Sequence, residues 1–249
     1  MPADDDEEEE VLPGNVGGAV RIGATVHRPT GPWTPAVHAL LEHIASRVPH
    51  VPRVHGFDDE GREVLDFLPG QVVDVNIEAL SAARLVALVD WTRRFHDAVA
   101  DFIHPGPWRF FDVPDATSVG HNDLGYYNIC FDGDDLAGVF DWDLAGPTTP
   151  LFELAFLAWN GVPLWRDDGP DVAAARLHLI ADTYGGPTAR EILMAVAPRI
   201  QLMLVGIPAH AARGDTGMAN LMAAGEPGRS RATLDGLVTR MPLIDRALG

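Results

Sequence analysis

The sequence predicts an α+β fold in two lobes, a short N-terminal sheet lobe followed by a larger helical one. Three observations lead there. Up to residue 69, short apolar runs are separated by Gly, Pro and Asp turns, the pattern of strands. From Ile77 onward, apolar residues recur mainly at helical spacing. Ile129-Cys130-Phe131 and Leu136-Ala137-Gly138-Val139-Phe140 read as two strands joined through Asp132-Gly133-Asp134-Asp135, whose Asp-Gly chemistry marks a hairpin within the helical part. The expected division is a disordered acidic tail over 1–10, an N-terminal lobe over 11–69 and a C-terminal lobe over 70–249.

In chain order, Asp4-Asp5-Asp6-Glu7-Glu8-Glu9-Glu10 repel one another and offer nothing to bury, hence the tail. Gly14-Asn15-Val16-Gly17-Gly18 precedes a strand over 19–22, a Gly23-Ala24 turn and a strand over 25–28. Alternation puts His27 and Arg28 on opposite faces, so only one points inward. Arg28 is the preferred inward cation because its charge is permanent. Thr34-Pro35 pairs an N-cap with a proline suited to the first helical position. That helix runs to about Ser46, with Val37, Leu40, Leu41 and Ile44 on its apolar face and Glu42 toward solvent. Strands over 51–57 and 63–68 flank an Asp58–Gly61 turn, and Pro69-Gly70 ends the second. A helix over 79–100 carries Leu80, Leu85, Leu88, Val89 and Phe95, with His96 as a core histidine beneath the loop at 121–128. Beyond the hairpin come a buried helix over 152–159, in which Glu153 needs a partner, helices over 171–184 and 189–205, a turn over 225–231 and a last helix. Met203, Met218 and Met222 read as core filler.

Composition narrows the function classes. The chain has 249 residues, 47% of them hydrophobic, enough for one or two cores. Cys130 is the one cysteine, which excludes an internal disulfide and fits a reducing cytoplasm; its expected role is a buried strand thiol. No unbroken apolar run reaches membrane-helix length, and the acidic N-terminus lacks a signal peptide's basic region. A formal charge of −18 repels nucleic acid.

The chemistry concentrates in His121-Asn122-Asp123-Leu124-Gly125-Tyr126-Tyr127-Asn128 and in Asp141-Trp142-Asp143. Phosphoryl transfer from a nucleoside triphosphate needs a carboxylate to take a hydroxyl proton, plus an amide oxygen and a second carboxylate to hold magnesium. In the pattern H-x-D-x-x-x-x-N the Asp is the base and the Asn a metal ligand. Asp123 and Asn128 have that offset, and the hairpin brings Asp141 beside Asn128, so Asn128 and Asp141 are the expected magnesium ligands. Two oxygen ligands suffice for an ion that completes its octahedron with phosphates and water. His121 is expected to brace the loop and Asp143 to act as an acid behind the metal ligands. All eighteen basic residues are arginine, so the lysine that ordinarily pairs with the α- and β-phosphates is replaced or missing. A metal-dependent hydrolase using His121 and Asp123 is the weaker alternative, because further clustered ligands for a two-metal site are not apparent.

From about His96 to Leu164 the chain resembles the aminoglycoside phosphotransferase-like family of the protein-kinase-like fold. Within it, the chain is similar to the branch of phosphotransferases and trifolitoxin-immunity-like proteins. The matching residues are His121-Asn122-Asp123, Asn128, Asp141-Trp142-Asp143-Leu144-Ala145, Gly146-Pro147 and Glu153-Leu154-Ala155, with Glu153 where the family has Asp. Arg94-Phe95-His96-Asp97-Ala98 resembles the family's helix before the catalytic loop. The resemblance implies a bilobal fold and transfer of the γ-phosphate of ATP or GTP, with Mg²⁺, to a hydroxyl of a small acceptor. It implies that Gly17 and Gly18 lie over the phosphates, that Arg28 is their cation, and that Asp66, Phe67 and Leu68 line the purine through their backbone. It makes Glu153 a brace of the catalytic loop. The alternative in the same family is a non-catalytic binding or immunity protein with an altered nucleotide lobe. No motif names the acceptor.

Overall fold

The computed structural model describes residues 9–12, 18–74 and 78–249. Five short strands form an antiparallel sheet in the order β1-β2-β3-β5-β4: β1 Glu9–Val11, β2 Val20–Ile22, β3 Thr25–Arg28, β4 Val54–Phe57 and β5 Glu63–Asp66. Glu9 and Glu10, expected in the tail, belong instead to this sheet. Each finds an arginine across the fold, Glu10 with Arg21 and Glu9 with Arg62, both at 3.6 Å. Residues 1–8 lie outside the described residues. The pairing of β3 with β5 places Arg28 directly opposite Glu63.

α1 (Thr34–Ile44) covers this sheet with the expected apolar face, and Glu42 is exposed. The N-cap is Trp33 rather than Thr34. The Thr34 hydroxyl instead accepts from the Gly31 N–H at 2.9 Å, bracing the approach to the helix.

Beyond Pro69, β6 (Gln71–Val72), β8 (Ile129–Asp132) and β9 (Asp135–Val139) form a second sheet. β8 and β9 are the expected hairpin. Its tight turn is served by Gly133 at φ 61°, a conformation costly for a residue with a Cβ. β7 (Ser118–Gly120) pairs with β10 (Gly146–Thr148). The helices are α2 (Ala82–Ala98), α3 (Pro150–Gly161), α4 (Pro170–Tyr184), α5 (Ala189–Ala212), α6 (Thr216–Ala223) and α7 (Gly228–Ala247). α5 runs further than its periodicity indicated, and α6 was not expected. Met222 on α6 is well exposed rather than core, whereas Met218 is buried.

Trp142 ties the hairpin to the helices. It is fully buried, edge-on to Phe95 at 5.3 Å and to Trp91 at 6.2 Å, both on α2. His96 is a core histidine as expected, and its ring meets the Tyr184 hydroxyl of α4 at 2.7 Å. α5 is long and apolar enough to cross a membrane by composition. It packs on α3 and α6, however, and encloses a fully buried Arg199, so it serves as a core helix.

Candidate active site

β7 ends at Gly120 and delivers the chain to His121, Asn122 and Asp123. Asn122 has φ 63°, in the left-handed region that asparagine tolerates. Buried side chains clamp both peptide groups flanking its Cα. The Asn122 N–H donates to Glu153 of α3 at 3.0 and 3.2 Å, and the Asn122 carbonyl accepts from Nη2 of Arg199 of α5 at 2.6 Å. Glu153 and Arg199 are both fully enclosed, and the guanidinium lies between the rings of Phe110 and Phe156 at 4.8 and 4.6 Å. Burial pushes the Glu153 carboxyl up to about 7 against the pull of the Asn122 N–H, and draws Arg199 down to about 10. Glu153 reaches the loop only because residue 120 lacks a side chain: a Cβ there would lie 1.9 Å from Oε2 of Glu153.

His121 braces the loop, as the sequence implied. Its Nε2 donates to the Phe140 carbonyl at 3.0 Å and its Nδ1 accepts from the Asp123 N–H at 3.2 Å, a pattern that requires the neutral ring. Burial lowers its pKa to about 4. The Asp123 carboxylate accepts from the Tyr127 hydroxyl at 2.8 Å and from Nδ2 of Asn128 at 2.9 Å. Burial, and then the charge of Asp141, raise Asp123 to about 6.

The Phe140 N–H donates to the Asn128 carbonyl at 3.0 Å, so the open end of the hairpin sets Asn128 beside the Asp141 loop. With Nδ2 of Asn128 committed to Asp123, its amide oxygen is the group left to face a cation. On Asp141, Arg28 occupies Oδ1 alone, at 2.9 Å. These hard oxygen donors fit magnesium. Among the described residues, no three His, Cys, Asp or Glu side chains are grouped to share a metal ion.

Arg28 points into the cleft and His27 away from it, toward Asp58 at 2.8 Å. The Arg28 guanidinium donates to Glu63 through Nε at 2.5 Å, to Asp141 through Nη1, and to Asp143 through Nη2. Burial opposes its charge, but the three carboxylates more than compensate and raise its pKa. Burial raises the Asp141 carboxyl, yet the adjacent Arg28 outweighs this and holds it below the ordinary value. Glu63 is buried and also meets His38 of α1 at 2.8 Å, so α1 contributes a histidine to the cation's partner. The other oxygen of Asp143 accepts from Nη1 of Arg109 at 3.0 Å, so both of its oxygens are engaged by guanidinium groups. Sequence reasoning missed Glu63, His38, Arg109, Asp215 and Arg199. Only Glu63 carried a signal, as an acid that alternation places on the same inward face as Leu65.

The purine-side expectation needs correction. The Asp66 N–H donates to the Arg53 carbonyl at 3.1 Å and the Phe67 N–H to the Ala24 carbonyl at 2.8 Å, because the sheet continues past the end of β5. The Asp66 carboxylate binds His55 at 2.7 Å, and the Phe67 ring lies under Arg21 at 4.0 Å. Among the described residues, only Leu68 of the three keeps an N–H without a partner. Gly18, at φ 83°, abuts the Pro29 ring, and Gly17 lies outside the described residues.

The sheet, hairpin and helical half together define a protein-kinase-like bilobal fold. It is shared with a choline/ethanolamine kinase family protein from Mesorhizobium loti, at a TM-score of 0.63 and 17% identity, over 100% of this chain and 94% of that one. Amicoumacin kinase, solved with AMP-PNP and Ca²⁺, matches at 0.62 and 12% identity, over 95% and 88%. A GDP complex of aminoglycoside 2′-phosphotransferase-IIIa matches at 0.57 and 12%, over 95% and 96%. In sequence, a trifolitoxin immunity protein from Rhizobium leguminosarum bv. trifolii is 34% identical over 182 residues, covering 66% of this chain and 69% of that protein. Residues 112–192 match the phosphotransferase enzyme family. The chain belongs to that family, among the aminoglycoside phosphotransferase-like proteins.

Proposed function

We propose that this protein is a small-molecule phosphotransferase that moves the γ-phosphate of ATP or GTP to a hydroxyl of a small acceptor. The observation that carries the reading is the set of Asp123, Asn128, Asp141 and Arg28 at one end of the hairpin, held by the contacts described above. Asp123, raised toward neutrality, orients the acceptor hydroxyl and takes its proton as the oxygen attacks the γ-phosphorus and the bond to the β–γ bridging oxygen breaks. Asn128 and Asp141 would hold magnesium, which supplies charge neutralisation on the phosphates. Each Nη of Arg28 has a second N–H beyond the one donated to Asp141 or Asp143, and these would meet the phosphates while Glu63 steadies the guanidinium through Nε. Leu68 offers the purine a backbone donor.

The test is a screen of phosphate release and acceptor phosphorylation with Mg²⁺ and ATP or GTP. Asp123→Asn keeps the shape and removes the base, so turnover should fall roughly 10²–10⁴-fold while nucleotide affinity holds. Full activity in that variant would refute the assignment of Asp123. A second reading, a kinase-like immunity protein that works by binding alone, is favoured by the relative's name and by the arginine in place of lysine. Nucleotide binding without phosphorylation of any acceptor would make it the better one.

A further inference from the structure

Five side chains form one alternating line of charge from the N-terminal sheet to the start of α6. Glu63 holds Arg28, Arg28 donates to Asp143, and Asp143 takes Nη1 of Arg109. Arg109 then grips Asp215 side-on, through Nε at 2.9 Å and Nη2 at 2.8 Å. The Trp33 ring, beside α1, lies 4.3 Å from the Arg109 guanidinium. Asp215 belongs to the turn between α5 and α6: it accepts from the Met218 N–H at 3.0 Å as the N-cap of α6, and its own N–H donates to the His210 carbonyl at 3.1 Å. The Arg109 side chain is 5% exposed against 14% for Arg28, so Arg109 is the less accessible of the two to a phosphate. Its effect falls on Asp143. Without Arg109, Arg28 would be the one guanidinium left on Asp143, which the two now share.

We propose that Arg109 is a positioning residue that sets the orientation of Arg28 from the α5–α6 turn, and through it the binding of the nucleotide phosphates. The inference rests on the phosphotransferase reading in taking Arg28 as the phosphate contact.

The test removes the Arg109–Asp215 pair without changing net charge, as Arg109→Met with Asp215→Asn. Asn still caps the helix, and replacing both partners leaves no unpaired buried charge. Asp215→Asn alone is the second variant should the double one fold poorly. Two readouts are taken: the Nε–Hε NMR resonance of Arg28 in the nucleotide-free protein, assigned by its loss in Arg28→Ala, and the calorimetric Kd for Mg-ATP and Mg-GTP. The expected result is a displaced Arg28 resonance in both variants and a Kd weakened roughly fivefold or more in the double variant, the scale of a typical coupling between sites. An Arg28 resonance that stays in place overturns the proposal. So does a displaced resonance with Kd within about twofold of wild type, because the scale of a real coupling is larger. A wild-type protein that binds no Mg-nucleotide refutes the phosphotransferase reading instead, and the Arg28 resonance then decides the positioning link by itself.

Discussion

Replacing Gly120 with alanine tests whether the loop at 121–128 depends on the close approach of Glu153. The new Cβ would lie 1.9 Å from Oε2 of Glu153 and 2.5 Å from Cγ2 of Thr148. Neither neighbour has room to retreat, since both side chains are fully buried. Gly120 is not among the residues with positive φ, so the cost is one of space rather than of backbone conformation. Overpacking of this kind costs about 1–3 kcal/mol, and weakening the Glu153–Asn122 hydrogen bonds adds about 1–3 kcal/mol. A loss of roughly 2–6 kcal/mol corresponds to a drop in Tm of about 4–24 °C for a chain of this size. Urea denaturation followed by tryptophan fluorescence would measure it, with Glu153→Ala and the double variant closing a cycle. Truncating Glu153 removes the worst clash, so the double variant should be more stable than the summed single effects by at least about 1 kcal/mol. If the two changes add within about 0.5 kcal/mol, Glu153 is not what requires glycine at position 120, and the account of the loop fails.

Three further predictions follow from the site. Mg-ATP or Mg-GTP should raise the wild-type Tm by mass action, and Asp141→Ala should abolish that shift; an undiminished shift would remove Asp141 from the metal site. Arg28→Ala should weaken Mg-nucleotide binding more than His27→Ala does, and Arg28→Lys should not restore it, because one ammonium cannot reach Glu63, Asp141 and Asp143 as the guanidinium fork does; equal Kd values for the three variants would refute this. Glu153 is raised from 4.5 to about 7, so the folded state keeps a proton that the unfolded chain releases, and this group's contribution to stability falls as pH rises from 4.5 to about 7. Glu153→Gln should therefore gain stability on wild type across that window and level off above it. His96 and His121 act in the opposite sense: both are lowered from 6.5 to about 4, so the stability they confer is present above 6.5 and is lost as pH falls toward 4.

Much of the site is legible in the chain because it is local. Asp123 and Asn128 share one short loop, and the hairpin that brings Asp141 to them is declared by an Asp-Gly turn between two apolar runs. Strand alternation alone separates Arg28 from His27. The supporting charges are not legible, since their partners lie far away in sequence: Glu63 is 35 residues from Arg28, Arg199 is 77 from Asn122, and Asp215 is 106 from Arg109. Periodicity says that a residue faces inward, but not what it will meet there. A buried charge is costly until an opposite charge or a hydrogen-bond partner meets it, and the partner is chosen by how the sheets and helices pack. The same holds for Glu9 and Glu10, whose run of like charge reads as a solvated tail until Arg21 and Arg62 are placed across from them. It holds too for Asp66 and Phe67, whose backbone donors are available to a purine in one dimension and engaged in three. What the sequence determined by itself was the hairpin, the order of the reactive groups and the face on which each lies. Tertiary structure decided which charges neutralise one another, because desolvation acts through distance in space.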